Sequence, residues 1–508
     1  MSHSRPLRKA IAVVRRALAG LGRLSSAHGL FLLVVVGAVA VRRVAVLGYP
    51  SVLWFGDSAG YLESAVRLRP SELRPGGYSL FLWLLEPAHS LRWVVVVQHA
   101  LGVAIGVLVY VLVWRAARAA LPSRRWLPGL VATPFAVPVL FDAYQIQLEH
   151  LLMADLLFAF LLTAAVTVVL WRRRLGWWTG ALAGLLMSCA AVTRSVGLPL
   201  LLVLLVCMMA RRAGWRAMAA AVIACAVPVL IYMSWFNSVH GEFAFSKSDN
   251  IWLYGRTVDF ADCAQIRPRP EVAILCRENV PRDPRVAPAF AALWQPESGF
   301  RRLPGGIDDP RANELAGEFA WAAITKQPGD YVGVIVRDTF RAFAWEREPY
   351  PTPWTAAKYR FPEGASLRET DATWAFAYGR DTAVPRVVEP HGEWMRDYQS
   401  RFYVRGTVLG AFLLVGLGGM LIRVRRLGGP VLLPWSFSVA LLVVPAATAD
   451  FDDRYVLPAI PFAVLAAAMA LIPERRGAEP SAPSAPEERS EPKREPVPER
   501  LAEAAETG

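Results

Sequence analysis

The chain has 508 residues, 55% of them hydrophobic and 19% charged, with a formal net charge of +13 and a mean hydropathy of +0.34. Its apolar residues are gathered into blocks such as 151–170. Each is close to the ~20 residues that cross a bilayer, which excludes a soluble protein with apolar residues spread at period 3.6 or 2. The arginines lie in short connections, at Arg115, Arg118, Arg124 and Arg125, at Arg172 to Arg174, at Arg211, Arg212 and Arg216, at Arg423, Arg425 and Arg426, and at Arg475 and Arg476. With spans running between them, every cluster falls on one face, which the positive-inside rule makes cytoplasmic. The basic excess is therefore a topology signal, and no nucleic-acid partner is implied.

In chain order, Arg5 to Arg23 mixes basic residues with Ile11, Val14, Leu18 and Leu21 at helical spacing, the pattern of a cationic helix lying on the cytoplasmic leaflet. It lacks the apolar region and cleavage site of a signal peptide. Spans are expected near 28–48, 92–114, 128–145, 150–170, 177–193, 196–210, 216–236, 402–422, 430–448 and 455–472. The expected fold is all-α: a polytopic helical bundle of about ten transmembrane helices with a large extracytoplasmic loop domain. Its parts are a cytoplasmic amphipathic segment (1–27), an N-terminal membrane module carrying the first outer loop (28–236), the loop domain (237–401), a C-terminal membrane module (402–472) and a Pro/Glu/Ser/Ala-rich disordered cytoplasmic tail (473–508). Within 237–401, helices are expected at 310–326 and 328–345, the second with Val332, Ile335, Val336 and Phe340 on one face. Of the five cysteines, Cys189, Cys207 and Cys225 lie in apolar runs and read as small core residues. Cys263 and Cys276 fall in the outer loop, where an oxidising compartment permits a disulfide, with two free thiols as the alternative.

Four polar clusters stand out, all at the outer ends of spans. Asp57, with Glu63 after it, can take a proton from a hydroxyl or hold a divalent metal; it also suits a helix N-cap before Tyr61 and Leu62. The nearby Arg74-Pro75-Gly76-Gly77-Tyr78 brings a fixed turn, an aromatic ring and a guanidinium suited to phosphate, and Glu63 is left as a loop acid. Glu149 and Asp155 lie on different helix faces, so one of them points into a site. An acid inside an apolar span costs ~2.5–3.5 kcal/mol on insertion scales and faces water or a partner; the alternative is an ion pair that locks packing. Arg194 interrupts the block 177–210 and either snorkels to headgroups or binds an anion. In Asp450-Phe-Asp-Asp453-Arg454-Tyr455, three acids and an arginine exceed the needs of a hairpin; Arg454 suits a lipid phosphate and Tyr455 a pocket wall, or else the charges neutralise one another in a polar turn. There is no Walker A sequence, no dinucleotide-type Gly-rich loop and no zinc spacing, so no nucleotide cofactor is expected. Asp57 and Asp155 could share a divalent metal, although no spacing rule demands one.

Taken in order, Asp57…Tyr61-Leu62 with Arg74-Pro-Gly-Gly-Tyr-Ser-Leu-Phe, Met153-Ala-Asp155-Leu, Arg194-Ser-Val-Gly-Leu-Pro and Asp453-Arg-Tyr-Val-Leu-Pro458 resemble the C-type (GT-C) polytopic membrane glycosyltransferases. The likeness is particularly to the broad group akin to protein O-mannosyltransferases and aminoarabinose transferases, and it spans 50–460. The resemblance implies a polyprenyl-phosphate sugar donor arriving from the bilayer and an envelope glycan, lipid or protein as acceptor. It implies Asp57 as the catalytic residue that deprotonates the acceptor, with Arg74, Arg194 or Arg454 neutralising the departing lipid phosphate. The chain departs from relatives in carrying Asp155 where Glu is frequent, Pro-Gly-Gly for Pro-Pro-Gly, and no Asp-Glu pair at 57–58. The expected function is transfer of a sugar to that acceptor on the outer face of the cell membrane. Rivals are a transporter or flippase of a lipid-linked sugar, which needs no base, and a non-catalytic envelope assembly protein, in which the acids would be scattered.

Overall fold

The computed structural model describes residues 27–172, 174–276, 283–364 and 367–473. The amphipathic helix expected before residue 27 and the tail expected after residue 473 lie outside them. Each apolar block forms helix, because a backbone in hydrocarbon must satisfy its own N–H and C=O groups. Five helices are long and apolar enough to cross a membrane: Ala27–Gly48, Leu91–Ala120, Trp215–His240, Gly429–Thr448 and Asp453–Leu471. Two bent pairs, Leu127–Phe141 with Ala143–His150 and His391–Arg401 with Gly406–Ile422, raise the number to seven if each is one span. All ten expected stretches carry apolar helix, but Asp155–Trp171, Trp177–Thr193 and Gly197–Ala210 have only 17, 17 and 14 residues. At 1.5 Å per residue they rise about 21–26 Å, less than the ~30 Å hydrocarbon layer. Length and composition therefore support five to seven spans. The membrane-protein class itself is secure.

The 51° bend between Leu127–Phe141 and Ala143–His150 has a local cause. Asp142 sits at the break, accepting the Gln145 N–H at 2.9 Å with one oxygen and the Val404 N–H at 2.7 Å with the other. A broken helix is tolerated at membrane depth where side chains take up the freed backbone groups. No strand occurs among the described residues; a single parallel bridge joins Leu53 to Leu151.

The polar stretch after His240 builds a second, smaller apolar core from Ile251, Tyr254, Leu275, Phe300, Leu315 and Phe319, separate from the main one. Cys263 and Cys276 are disulfide-bonded beside it. Cys207 and Cys225 are buried, whereas Cys189 is exposed on its helix. The expected pair of helices forms at Ala312–Lys326 and Pro328–Arg341.

This stretch is tied to the C-terminal helices by a buried charge group. Arg256, 1% exposed, donates to Asp338 at 2.5 Å and Asp259 at 3.0 Å and lies 3.6 Å from Asp450. The Tyr350 hydroxyl donates to Asp450 at 2.7 Å. Burial pushes the Asp450 carboxyl up to about 7, against the pull of Arg256. An acid raised on folding holds its proton in the folded state while the unfolded chain has lost it, so stability falls as pH rises through that window. The thermal transition of wild type should therefore drop relative to that of Asp450→Asn between about pH 4 and 7, as read by parallel melts across the range; parallel curves would contradict it.

Candidate active site

Asp57 occupies the N-cap position of Ser58–Arg67, yet its side chain caps nothing. The local bonding falls to Ser58, whose Oγ accepts the Phe55 N–H at 2.9 Å and donates to the Leu152 carbonyl at 3.1 Å. With the Leu53–Leu151 bridge, this fixes 53–58 alongside 150–153. Asp57 and Asp155 each follow their bridged leucine by four residues, so one pairing of chains delivers both acids to the same place.

Free of capping, Asp57 accepts from two arginines, one on each oxygen: Arg74 to Oδ1 at 2.5 Å and Arg454 to Oδ2 at 3.5 Å. Arg74 is placed by its Pro75-Gly76-Gly77 turn. A Cβ on Gly77 would stand 2.7 Å from the Thr193 nitrogen, so only glycine lets Gly77–Leu85 pass this close to the end of Trp177–Thr193. The next residue there is Arg194, which pairs with Asp155. Its guanidinium lies 4.9 Å from the centre of the Tyr455 ring. Arg454 lies 4.9 Å from the Phe55 ring and 5.0 Å from the Tyr455 ring. Behind it stands Asp452 at 3.2 Å, which takes the Tyr359 hydroxyl at 2.7 Å. Burial raises the Asp452 carboxyl against the pull of Arg454.

Three acids (Asp57, Asp155, Asp452) and three arginines (Arg74, Arg194, Arg454) thus meet in one group of balanced charge. Asp155 is 1% exposed and Arg454 9%, while Arg194 and Arg74 reach 19% and 25%, so the group is reached from the Arg74 and Arg194 side. Tyr61 is buried among the charges of Arg74, Asp57, Arg194 and Asp155; burial pushes its hydroxyl up to about 12, keeping it a neutral donor. One Asp155 oxygen, Oδ2, is buried with no hydrogen-bond partner among the described residues. No cluster of three or more metal-ligating side chains occurs among the described residues.

The remaining expected residues lie elsewhere. Tyr78 is fully buried behind Tyr61, its hydroxyl donating to Gln98 at 2.7 Å. Glu63 pairs on the surface with Arg67. Glu149 is apart from the group: two Arg42 nitrogens reach its two oxygens at 2.7 Å each, and His99 adds a further contact at 2.7 Å. Asp155 thus joins the charged group around Asp57 through its pair with Arg194, whereas Glu149 is held in a separate buried pair with Arg42. Asp453 points away from Asp57 into a separate cavity with Arg347 and Tyr350. Phe55 and Tyr359 have no signal in the sequence, and Tyr61 enters there only as part of the Asp57 motif, without a site role. Tyr61 carried the one available signal, lying one helical turn beyond Asp57 and so on the same face.

No protein-family model and no curated protein sequence matches the chain. Among solved structures, the chain is similar to ArnT from Cupriavidus metallidurans bound to undecaprenyl phosphate, at 17% identity over 87% of this chain and 77% of that one. It is similar also to the apo state of the same protein, at 15% identity over 87% and 76%. Both superpositions are loose, with a TM-score of 0.31, so the functional reading rests on the side chains described above.

Proposed function

We propose that the protein is a membrane glycosyltransferase that moves a sugar from a polyprenyl-phosphate donor to an envelope glycan, lipid or protein on the outer face of the cell membrane. One observation carries this reading: the two oxygens of Asp57 are held by two different arginines from distant parts of the chain. In the proposed step, Asp57 takes the proton of an acceptor hydroxyl, the acceptor oxygen bonds to the anomeric carbon, and the bond from that carbon to the lipid phosphate oxygen breaks. The electron pair leaves on the phosphate. Protonation cancels the charge of Asp57 as the phosphate gains its own, so Arg74 and Arg454 lose one anionic partner when a second develops. A transition state is stabilised by cations already in place where charge appears.

The arginines support the proposed orientation. Arg115, Arg118, Arg211, Arg216, Arg423 and Arg425 lie at the helix ends remote from Asp57, and the positive-inside rule puts those ends in the cytoplasm. The undecaprenyl phosphate carried by ArnT in one of its solved structures is in keeping with a polyprenyl donor. Purified protein should transfer sugar from such a donor, and Arg454→Gln should lower kcat by about 10²–10³-fold, the scale for losing one preorganised donor to a developing oxyanion. A variant that kept full turnover would remove Arg454 from the mechanism.

A further inference from the structure

We propose a second binding site, for a hydroxyl-bearing ring such as a sugar residue, on the far side of the Asp452–Tyr455 turn from Asp57. Arg454 and Tyr455 face the group described above, whereas Asp453 faces a cavity of about 120 Å³. Its polar wall is Asp453, Arg347 and Tyr350, and its apolar wall includes Leu409, Val456 and Ile460.

Two charged groups meet this cavity without a partner for their side chains among the described residues: Asp453, which is buried, and Arg347, which is half-buried. Asp453 is 8% exposed, yet among the described residues it has no hydrogen bond and no ion pair. The Nη1 of Arg347 is buried with no hydrogen-bond partner; its guanidinium is held instead by aromatic faces, 4.0 Å from Tyr144 and 5.8 Å from Tyr403. The other charges at the rim are accounted for: Arg341 pairs with Glu348 at 3.6 Å and with Asp338 at 3.1 Å, and Glu346 is exposed.

What remains is one group that only accepts and one that only donates, close enough to line one cavity and too far apart to pair. An anion would suit Arg347 and be repelled by Asp453; a cation would meet the reverse. A hydroxyl both donates and accepts, so a neutral polyol satisfies both. Tyr350 and Phe451, with ring centres 5.7 Å apart, add flat apolar surface for the carbon face of a ring, in keeping with pockets that are mostly apolar with a few convergent polar groups. Because the two sites lie back to back across one turn, the natural occupant is a sugar of the acceptor chain beyond the one that reacts. That last assignment rests on the glycosyltransferase reading; the binding itself does not.

The test uses full-length protein in nanodiscs, with methyl hexopyranosides and methyl pentofuranosides as probes in saturation-transfer NMR. At least one glycoside should bind. Asp453→Asn and Arg347→Gln should each weaken it about tenfold or more, the loss of one hydrogen bond to a charged group, and Glu63→Gln, on the surface beside Arg67, should leave it unchanged. Should Asp453→Asn fail to fold, Arg347→Gln and Leu409→Trp, which fills the cavity from its apolar side, carry the test. Absence of binding to wild type, or equal binding to all variants, overturns the proposal. So does a phospholipid that native mass spectrometry finds bound to wild type and lost from Arg347→Gln. Glycoside binding without any transfer from a polyprenyl donor would defeat the functional reading and leave this site standing; transfer without glycoside binding would do the opposite.

Discussion

Asp57→Asn should abolish sugar transfer while leaving the protein folded. Asparagine keeps the shape, and its one carbonyl oxygen can still accept the short contact from Arg74; its amide N–H2 then faces Arg454, whose longer contact to the second oxygen is lost. Asparagine cannot take a proton from a hydroxyl, and loss of a general base lowers rates by about 10²–10⁴-fold, or about 3–5 kcal/mol. Single-turnover transfer from a polyprenyl-phosphate sugar measures the effect, with donor binding assayed separately. Donor binding should persist or tighten, since the variant leaves two arginines without their carboxylate charge. Undiminished turnover would exclude Asp57 as base. Passage of the lipid-linked sugar across the bilayer at an unchanged rate, with no transfer by wild type, would favour a transporter.

The second large effect concerns folding. Glu149→Ala should be the most destabilising substitution among the acids considered, by about 3–5 kcal/mol, because it leaves a buried guanidinium uncompensated. Arg42 and Glu149 are 3% and 0% exposed, so water cannot replace the lost partner. Replacing both, as in Arg42→Met with Glu149→Leu, should recover much of the loss, since paired apolar substitutes are often neutral in such positions. Gly102→Ala probes the same place by size: the added Cβ would lie 1.8 Å from a Glu149 oxygen. Melting temperatures in one detergent should rank wild type and the double variant above Glu149→Ala and Gly102→Ala. A single variant as stable as wild type would refute the assignment. Material that remains folded should keep its transfer rate per molecule, which separates Glu149 from Asp57.

The contrast between these two acids marks what the sequence could reveal. That Asp57, Arg74, Asp155, Arg194 and Arg454 gather in one place was foreshadowed because each is an ionisable side chain at the border of an apolar run. Glu149 raised the same signal for a different reason. Its partner Arg42 lies 107 positions earlier inside the first apolar run, and no local pattern connects them. Asp453 was grouped with Arg454 by adjacency, but successive residues on a helical turn point about 100° apart, so neighbours in sequence serve opposite cavities. The helical bundle was legible throughout, since all ten apolar stretches carry helix. The number of crossings was not, because three of those helices stop short of bilayer thickness. Tyr359 was out of reach: its hydroxyl meets Asp452 across 93 positions.

Two phenols, Tyr350 on Asp450 and Tyr359 on Asp452, clip the segment before the last helix to the polar region. The aim of Arg454 is thereby set from outside its own helix. If Arg454 serves the proposed transfer, an exchange of 350–359 would need to carry both rings to keep its guanidinium in line with Asp57.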